Sequence, residues 1–195
     1  MNYEQLLTAA DQEGLLVKEQ PLTEHDGLIR GSRIAIRKDI EAQAEKSCVL
    51  AEEIGHYRTS SGNILDQNKV ESRKQEYRAR LYGYNLKIGL VGLIRAYEAG
   101  CGNLYEMAEY LDTTEEYLKE AMQCYHAKYG VYTVVDNYVI YFKPFAVIHM
   151  ISSADQRTEL LLPDSLLEEY KDFTIEQISR ITGYHQKLIE LRLGK

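Results

Sequence analysis

The chain holds no tryptophan, only three cysteines, no long apolar run and fewer basic than acidic side chains. Cys48, Cys101 and Cys124 show no CxxC spacing, which argues against a thiolate metal ribbon, and an odd thiol argues against a disulfide framework. They read as small buried hydrophobes in a reducing compartment, so a cytoplasmic location is expected. No stretch approaches the ~20 apolar residues of a membrane span, and the opening MNYEQLLTAADQEG has neither a basic n-region nor an apolar h-region. With 23 Lys and Arg against 30 Asp and Glu, the formal charge of −7 disfavours broad attraction to nucleic-acid phosphates or anionic lipid. Sixteen tyrosines take the place of tryptophan, and at helical spacing they belong in core or interface. A chain that is 45% hydrophobic and 27% charged can bury a core in one or two compact soluble domains.

Tyr3, Leu6, Leu7 and Ala10 recur at helical spacing up to Glu13, and Gly14 stands where a C′ glycine ends a helix. LLVKEQPL and GLIRGSRIAIRKDI read as strands, with Gly27 and Gly31 as breaks and Ile34 and Ile36 alternating with Arg33 and Arg37. Ser47 is a candidate cap for a helix starting near Cys48 and carrying Val49, Leu50, Ile54 and Tyr57, broken by Thr59-Ser60-Ser61-Gly62-Asn63. A long helix follows from about Val70 to Ala99, with Gly83 and Gly89 as weak points. LYEMAEYLDTTEEYLKEAMQCY then reads as two short helices joined around Asp112 to Thr114, a helix-turn-helix pattern in which Thr113 or Thr114 caps the second. VYTVVDNYVIYF gives a β-hairpin around Asp136-Asn137. The tail DFTIEQISRITGYHQKLIELRL aligns with the earlier helical pair, Met107 on Ile178 and Leu118 on Ile189, across a polar linker near residues 152 to 164 that contains Pro163. The expected architecture is α+β: a small N-terminal sheet packed on a helix, then helix-turn-helix-like segments and a β-hairpin. Its regions are 1–100, 101–150 and 151–195.

Within that frame, CVLAEEIGHY carries the densest chemistry. It matches the zinc-protease helix HExxH except that Glu52 stands at the first histidine position. Positions i and i+4 sit about 40° apart around a helix, so Glu52 and His56 share a face and can hold one ion, with Glu53 offset as a general base. Two ligands do not make a catalytic site, which usually takes three. The next helix carries QEYRARLYGY, where Glu76 precedes Ala79, Tyr82 and Gly83.

With VLAEEIGHY and QEYRARLYGY in this order, residues 1 to about 144 resemble the ImmA/IrrE family of metallopeptidases, many of them carried by prophages and other mobile elements. The resemblance implies a zincin-like domain with His56 and Glu76 as metal ligands, Glu52 in the first ligand's place, and Glu53 as the base. It also implies cleavage of a repressor that has its own helix-turn-helix, which derepresses the mobile element. The ion is expected to be Zn²⁺, with Mn²⁺ as the alternative because oxygen donors favour harder ions. Ile34-Ala35-Ile36 is a candidate free strand edge for pairing with an extended substrate.

Replacing a histidine by Glu52 cancels the formal charge of a divalent ion, and a weaker Lewis acid acidifies water less. Three alternatives therefore stay open. The helix face can be a solvated acidic pair beside a packed histidine; the chain can be an inactive peptidase-like protein that binds a regulator; or it can be a DNA-binding regulator. EEYLKEAMQCY is acidic where a recognition helix needs Arg, Lys, Asn or Gln, which argues against direct DNA readout, although Gln186, Lys187 and Arg192 make the tail less unfavourable. Among the other histidines, His25, His126 and His185 lack ligand spacing, and His149 is kept as a reserve ligand.

Overall fold

Asn2 accepts a hydrogen bond from the Gln5 amide while the Gln5 side chain accepts from the Asn2 amide, and this reciprocal box starts α1 (Tyr3–Gln12). At the other end the Leu15 amide donates to Ala10 and the Gly14 amide to Asp11, both at 2.9 Å, with Gly14 left-handed at φ 74° as its sequence position suggests. These contacts belong to a computed structural model that describes residues 1–59 and 69–150 together with Thr174, Ile175, Glu176, Ile178 and Ile189. The molecule is α+β, with six helices and two three-stranded sheets among the described residues. It divides into two units, Met1–Cys124 and Tyr125–Lys195. No described helix is long and apolar enough to cross a membrane.

In the first unit β1 (Leu16–Gln20), β2 (Gly27–Arg30) and β3 (Arg33–Arg37) form a sheet in the order β1-β3-β2, parallel between β1 and β3 and antiparallel between β2 and β3. The alternation of β3 sends Ile34 and Ile36 into the core and Arg33 and Arg37 to the other face. The expectation that Ile34-Ala35-Ile36 is a free edge is wrong, because β3 is the middle strand and both its sides are paired. Alternation reports which face is buried and carries no information about which edge is paired. Among the described residues the outer edges of β1 and β2 pair with no further strand.

The helix α2 (Gln43–Thr59) packs against α1, β2 and β3 on one side and α3 (Lys69–Lys87) on the other. Its start corrects a second expectation: Ser47 is not a cap but lies one turn inside, buried, with its hydroxyl donating to the Ala44 carbonyl at 2.6 Å. A serine hydroxyl is satisfied equally by a cap position or by the turn before it, so its presence alone does not fix a helix start. The expected helix over 70–99 is two helices, α3 and α4 (Gly89–Glu98), because Gly89 takes φ 65°, a conformation that ends α3. Lys87 at the end of α3 is fully buried, and its ammonium donates to the carbonyls of Met1, Leu111 and Asp112.

The segment after α4 forms α5 (Leu104–Tyr110), capped by Asn103, and α6 (Glu115–Tyr129), where the Thr114 hydroxyl accepts from the Tyr117 amide at 3.1 Å. In the second unit β4 (Tyr132–Val135) and β5 (Tyr138–Phe142) pair antiparallel around Asp136-Asn137, with Asp136 left-handed at φ 50°. A strand absent from the sequence reading, β6 (Phe145–His149), extends this hairpin into a three-stranded sheet. A run of four apolar residues just after a proline carries too little pattern to be told from loop. Val139, Tyr141 and Ile148 form a small core with Ile178 and Ile189. The proposed linker at 152 to 164 and the rest of the repeated helical pair lie outside the described residues.

Candidate metal centre

Two helices that touch main chain to main chain build the site. A methyl group at Gly55 would collide with the Ala79 carbonyl, and one at Gly83 would stand 2.9 Å from the Ala51 carbonyl oxygen. Gly55 on α2 therefore sits against the Ala79 main chain of α3, and Gly83 on α3 against the Ala51 main chain of α2, each pair one helical turn apart, and a side chain at either glycine would hold the axes apart. Glu52 and His56 follow the two small residues of α2, and Glu76 precedes those of α3. Close approach thus delivers all three side chains to one place.

The three convergent donors are Glu52, His56 and Glu76, each with a ligand atom within 4.8 Å of the others. His56 Nε2 lies 3.6 Å from Glu76 Oε2. Tetrahedral ligands at bonds of 2.0–2.2 Å lie about 3.4 Å apart, so this pair already stands at ligand-to-ligand distance and small side-chain rotations bring in Glu52. All three are half-buried. Glu52, His56 and Glu76, named from the sequence as candidate ligands, are therefore brought together, and the reserve candidate His149 is not among them. The donor set of two oxygens and one imidazole nitrogen fits Zn²⁺ and also fits Mn²⁺.

Glu53 is offset around α2 and sits against the first residue of β2. A Cβ built on Gly27 would lie 2.5 Å from Glu53 Oε1, so the carboxylate occupies room that only a glycine leaves. Burial pushes the Glu53 carboxyl up to about 7, with the negative charges of Glu52 and Glu76 adding to the effect. Glu52 is raised as well, by burial first, with Arg80 acting in the opposite direction.

Arg80 is the residue that sequence reasoning missed. Its Nε donates to Glu76 Oε1 at 2.7 Å and lies 3.3 Å from Glu52 Oε1, while its Nη1 reaches within 3.6 Å of Glu120 Oε2 on α6. Glu120 in turn accepts from the buried Tyr84 hydroxyl at 2.9 Å, and burial together with that bond pushes the Tyr84 hydroxyl well above the usual phenol range. The Arg80–Glu76 half was visible as an i, i+4 pair on one helix. Glu120 was not, because it arrives from a separate helix. His149 stacks on Tyr138 in the second unit, 4.6 Å between ring centroids, and is not a member of the donor cluster; His25 is exposed and His126 half-buried.

Comparison of the chain with protein-family models, with curated proteins and with solved structures found no match.

Proposed function

We propose that the chain is a metal-dependent endopeptidase of zincin-like build that cleaves a helix-turn-helix repressor-type protein, the activity implied by its resemblance to the ImmA/IrrE metallopeptidases. The observation that carries this reading is the convergence of Glu52, His56 and Glu76, from two helices, to within 4.8 Å beside a carboxyl held near neutrality. Glu52, His56 and Glu76 would hold the ion, which when bound polarises a peptide carbonyl and acidifies a water. Glu53 takes the proton of the attacking water on its carboxylate as the new C–O bond forms, and returns it to the departing amine as the C–N bond breaks. A base near pH 7 is matched to that double duty. The free edge of β2, which begins at Gly27 against Glu53, is the place where an extended peptide can pair main chain to main chain next to this base.

A second reading, a peptidase-like protein that binds a regulator without cutting it, is favoured by Arg80, which already neutralises two of the three donors. A DNA-binding role finds no support in α6, whose first turn holds Glu115 and Glu116.

One experiment separates the readings: elemental analysis of the purified protein, with cleavage of a repressor co-expressed from a neighbouring gene. Glu53→Gln is expected to keep the ion and lose cleavage, while His56→Ala loses both. Equal cleavage by wild type and Glu53→Gln removes the mechanism, and a natively folded chain that takes up no Zn²⁺ or Mn²⁺ leaves the regulator-binding reading.

A further inference from the structure

The cation that the carboxylates of this site already share is Arg80, and its bonds define what an incoming ion must do. Nε–H donates to Glu76 Oε1 at 2.7 Å, and Glu52 Oε1 lies within ion-pair distance of the same nitrogen, 3.3 Å away. Of the three candidate ligands, Glu76 therefore spends one oxygen on a guanidinium and Glu52 is ion-paired to it. A divalent ion drawing on the same two carboxylates would lie within a few ångströms of that positive charge, and repulsion between like charges at this range is large in a half-buried site. The guanidinium has somewhere to go: Glu120 Oε2 lies 3.6 Å from Nη1, and Tyr84 donates to Glu120 at 2.9 Å. Arg80 is also 44% exposed, so its movement is not blocked by packing.

We propose that Arg80 is a built-in competing cation: its guanidinium and a divalent ion contend for Glu52 and Glu76, and Glu120 receives the side chain when the ion wins. This rests on the metal reading of Glu52, His56 and Glu76. Under it, Arg80 bridges the two carboxylates in the ion-free protein and sets the threshold of free metal at which the site loads. The site is thereby tuned to weak, exchangeable loading instead of permanent occupancy.

The test is Zn²⁺ binding to the full chain, measured by competition with a chromophoric chelator, for wild type, Arg80→Met, Arg80→Lys and Glu120→Gln, together with the Arg Nε–H signals in ¹H–¹⁵N spectra. Removing a competitor is expected to tighten Zn²⁺ binding by about tenfold or more in Arg80→Met, with Arg80→Lys between it and wild type. Glu120→Gln is expected to loosen binding by roughly threefold, since the displaced guanidinium loses its receiver. The Nε–H signal missing from Arg80→Met should move in wild type as Zn²⁺ is added. Equal or looser binding by Arg80→Met, or an Arg80 signal that stays still at Zn²⁺ saturation, overturns the competition and leaves the metal site intact with Arg80 as an orienting partner. Absence of Zn²⁺ binding in both wild type and Arg80→Met, with cooperative unfolding preserved, overturns the metal reading and the competition together. The wild-type spectra decide the question even if a substitution at 80 impairs folding.

Discussion

Two cations on the same helix, Arg80 and Lys87, are set in opposite surroundings. Arg80 is 44% exposed among carboxylates from three helices, whereas the Lys87 side chain has no exposure and is held by the carbonyls of Met1, Leu111 and Asp112. Carbonyl oxygens neither titrate nor travel, and burial holds the Lys87 ammonium below its ordinary range without giving it anywhere else to go. Lys87 is therefore a fixed strut joining α3 to the turn between α5 and α6. Arg80 is paired with titratable side chains at a half-exposed position. A buried cation on main-chain acceptors belongs to the fold, and a half-exposed cation on side-chain acceptors belongs to the site.

The sharpest way to break this comparison is Lys87→Met. It leaves carbonyls of the α5–α6 turn unsatisfied in the interior and should cost about 3 kcal/mol or more, read as a shift in the urea midpoint. A cost near zero would mean that Lys87 is as dispensable as a surface residue.

Glu53→Gln comes next, and its effect depends on pH. In the metal-free protein the folded carboxyl titrates at about 7 against 4.5 for the unincorporated group, so the folded state binds the proton more tightly. That contribution to stability is complete below pH 4.5 and is lost as pH rises through about 7. Glutamine removes the cost of ionising a buried acid, so the variant should be more stable than wild type by about 1–2 kcal/mol near pH 8, allowing for partial exposure, and no more stable near pH 4. Urea midpoints at the two pH values give the comparison, and a constant difference between them would show that Glu53 does not titrate as its burial indicates.

The smallest effect belongs to Arg80→Met in the metal-free protein, where half-exposed ion pairs contribute little and a loss of under about 1 kcal/mol is expected. Should it match the loss at Lys87, the distinction between strut and site cation would fail.

Much of the site was legible because helical periodicity is a local rule. Glu52, Glu53 and His56 are fixed relative to each other by α2 alone, and Glu76 stands at a set distance from Ala79 and Gly83 along α3. What the sequence could not show were relations between elements. The pairing of β1 with β3, which closes the edge expected at Ile34 to Ile36, joins segments separated by a whole strand and turn. The burial of Lys87 depends on a turn more than twenty residues away, and Glu120 reaches Arg80 from α6. Gly83, read as a weak point of a helix, is a contact point, since a missing side chain can mean either a flexible main chain or a close neighbour.

Because α2 and α3 meet through peptide groups at Gly55 and Ala79 and again at Ala51 and Gly83, their separation is set by the one component common to every amino acid. Surface residues on either helix can drift freely while the spacing of His56 and Glu76 stays constant. A single added carbon at either glycine, far less than a change of charge or polarity, is enough to pull the two apart.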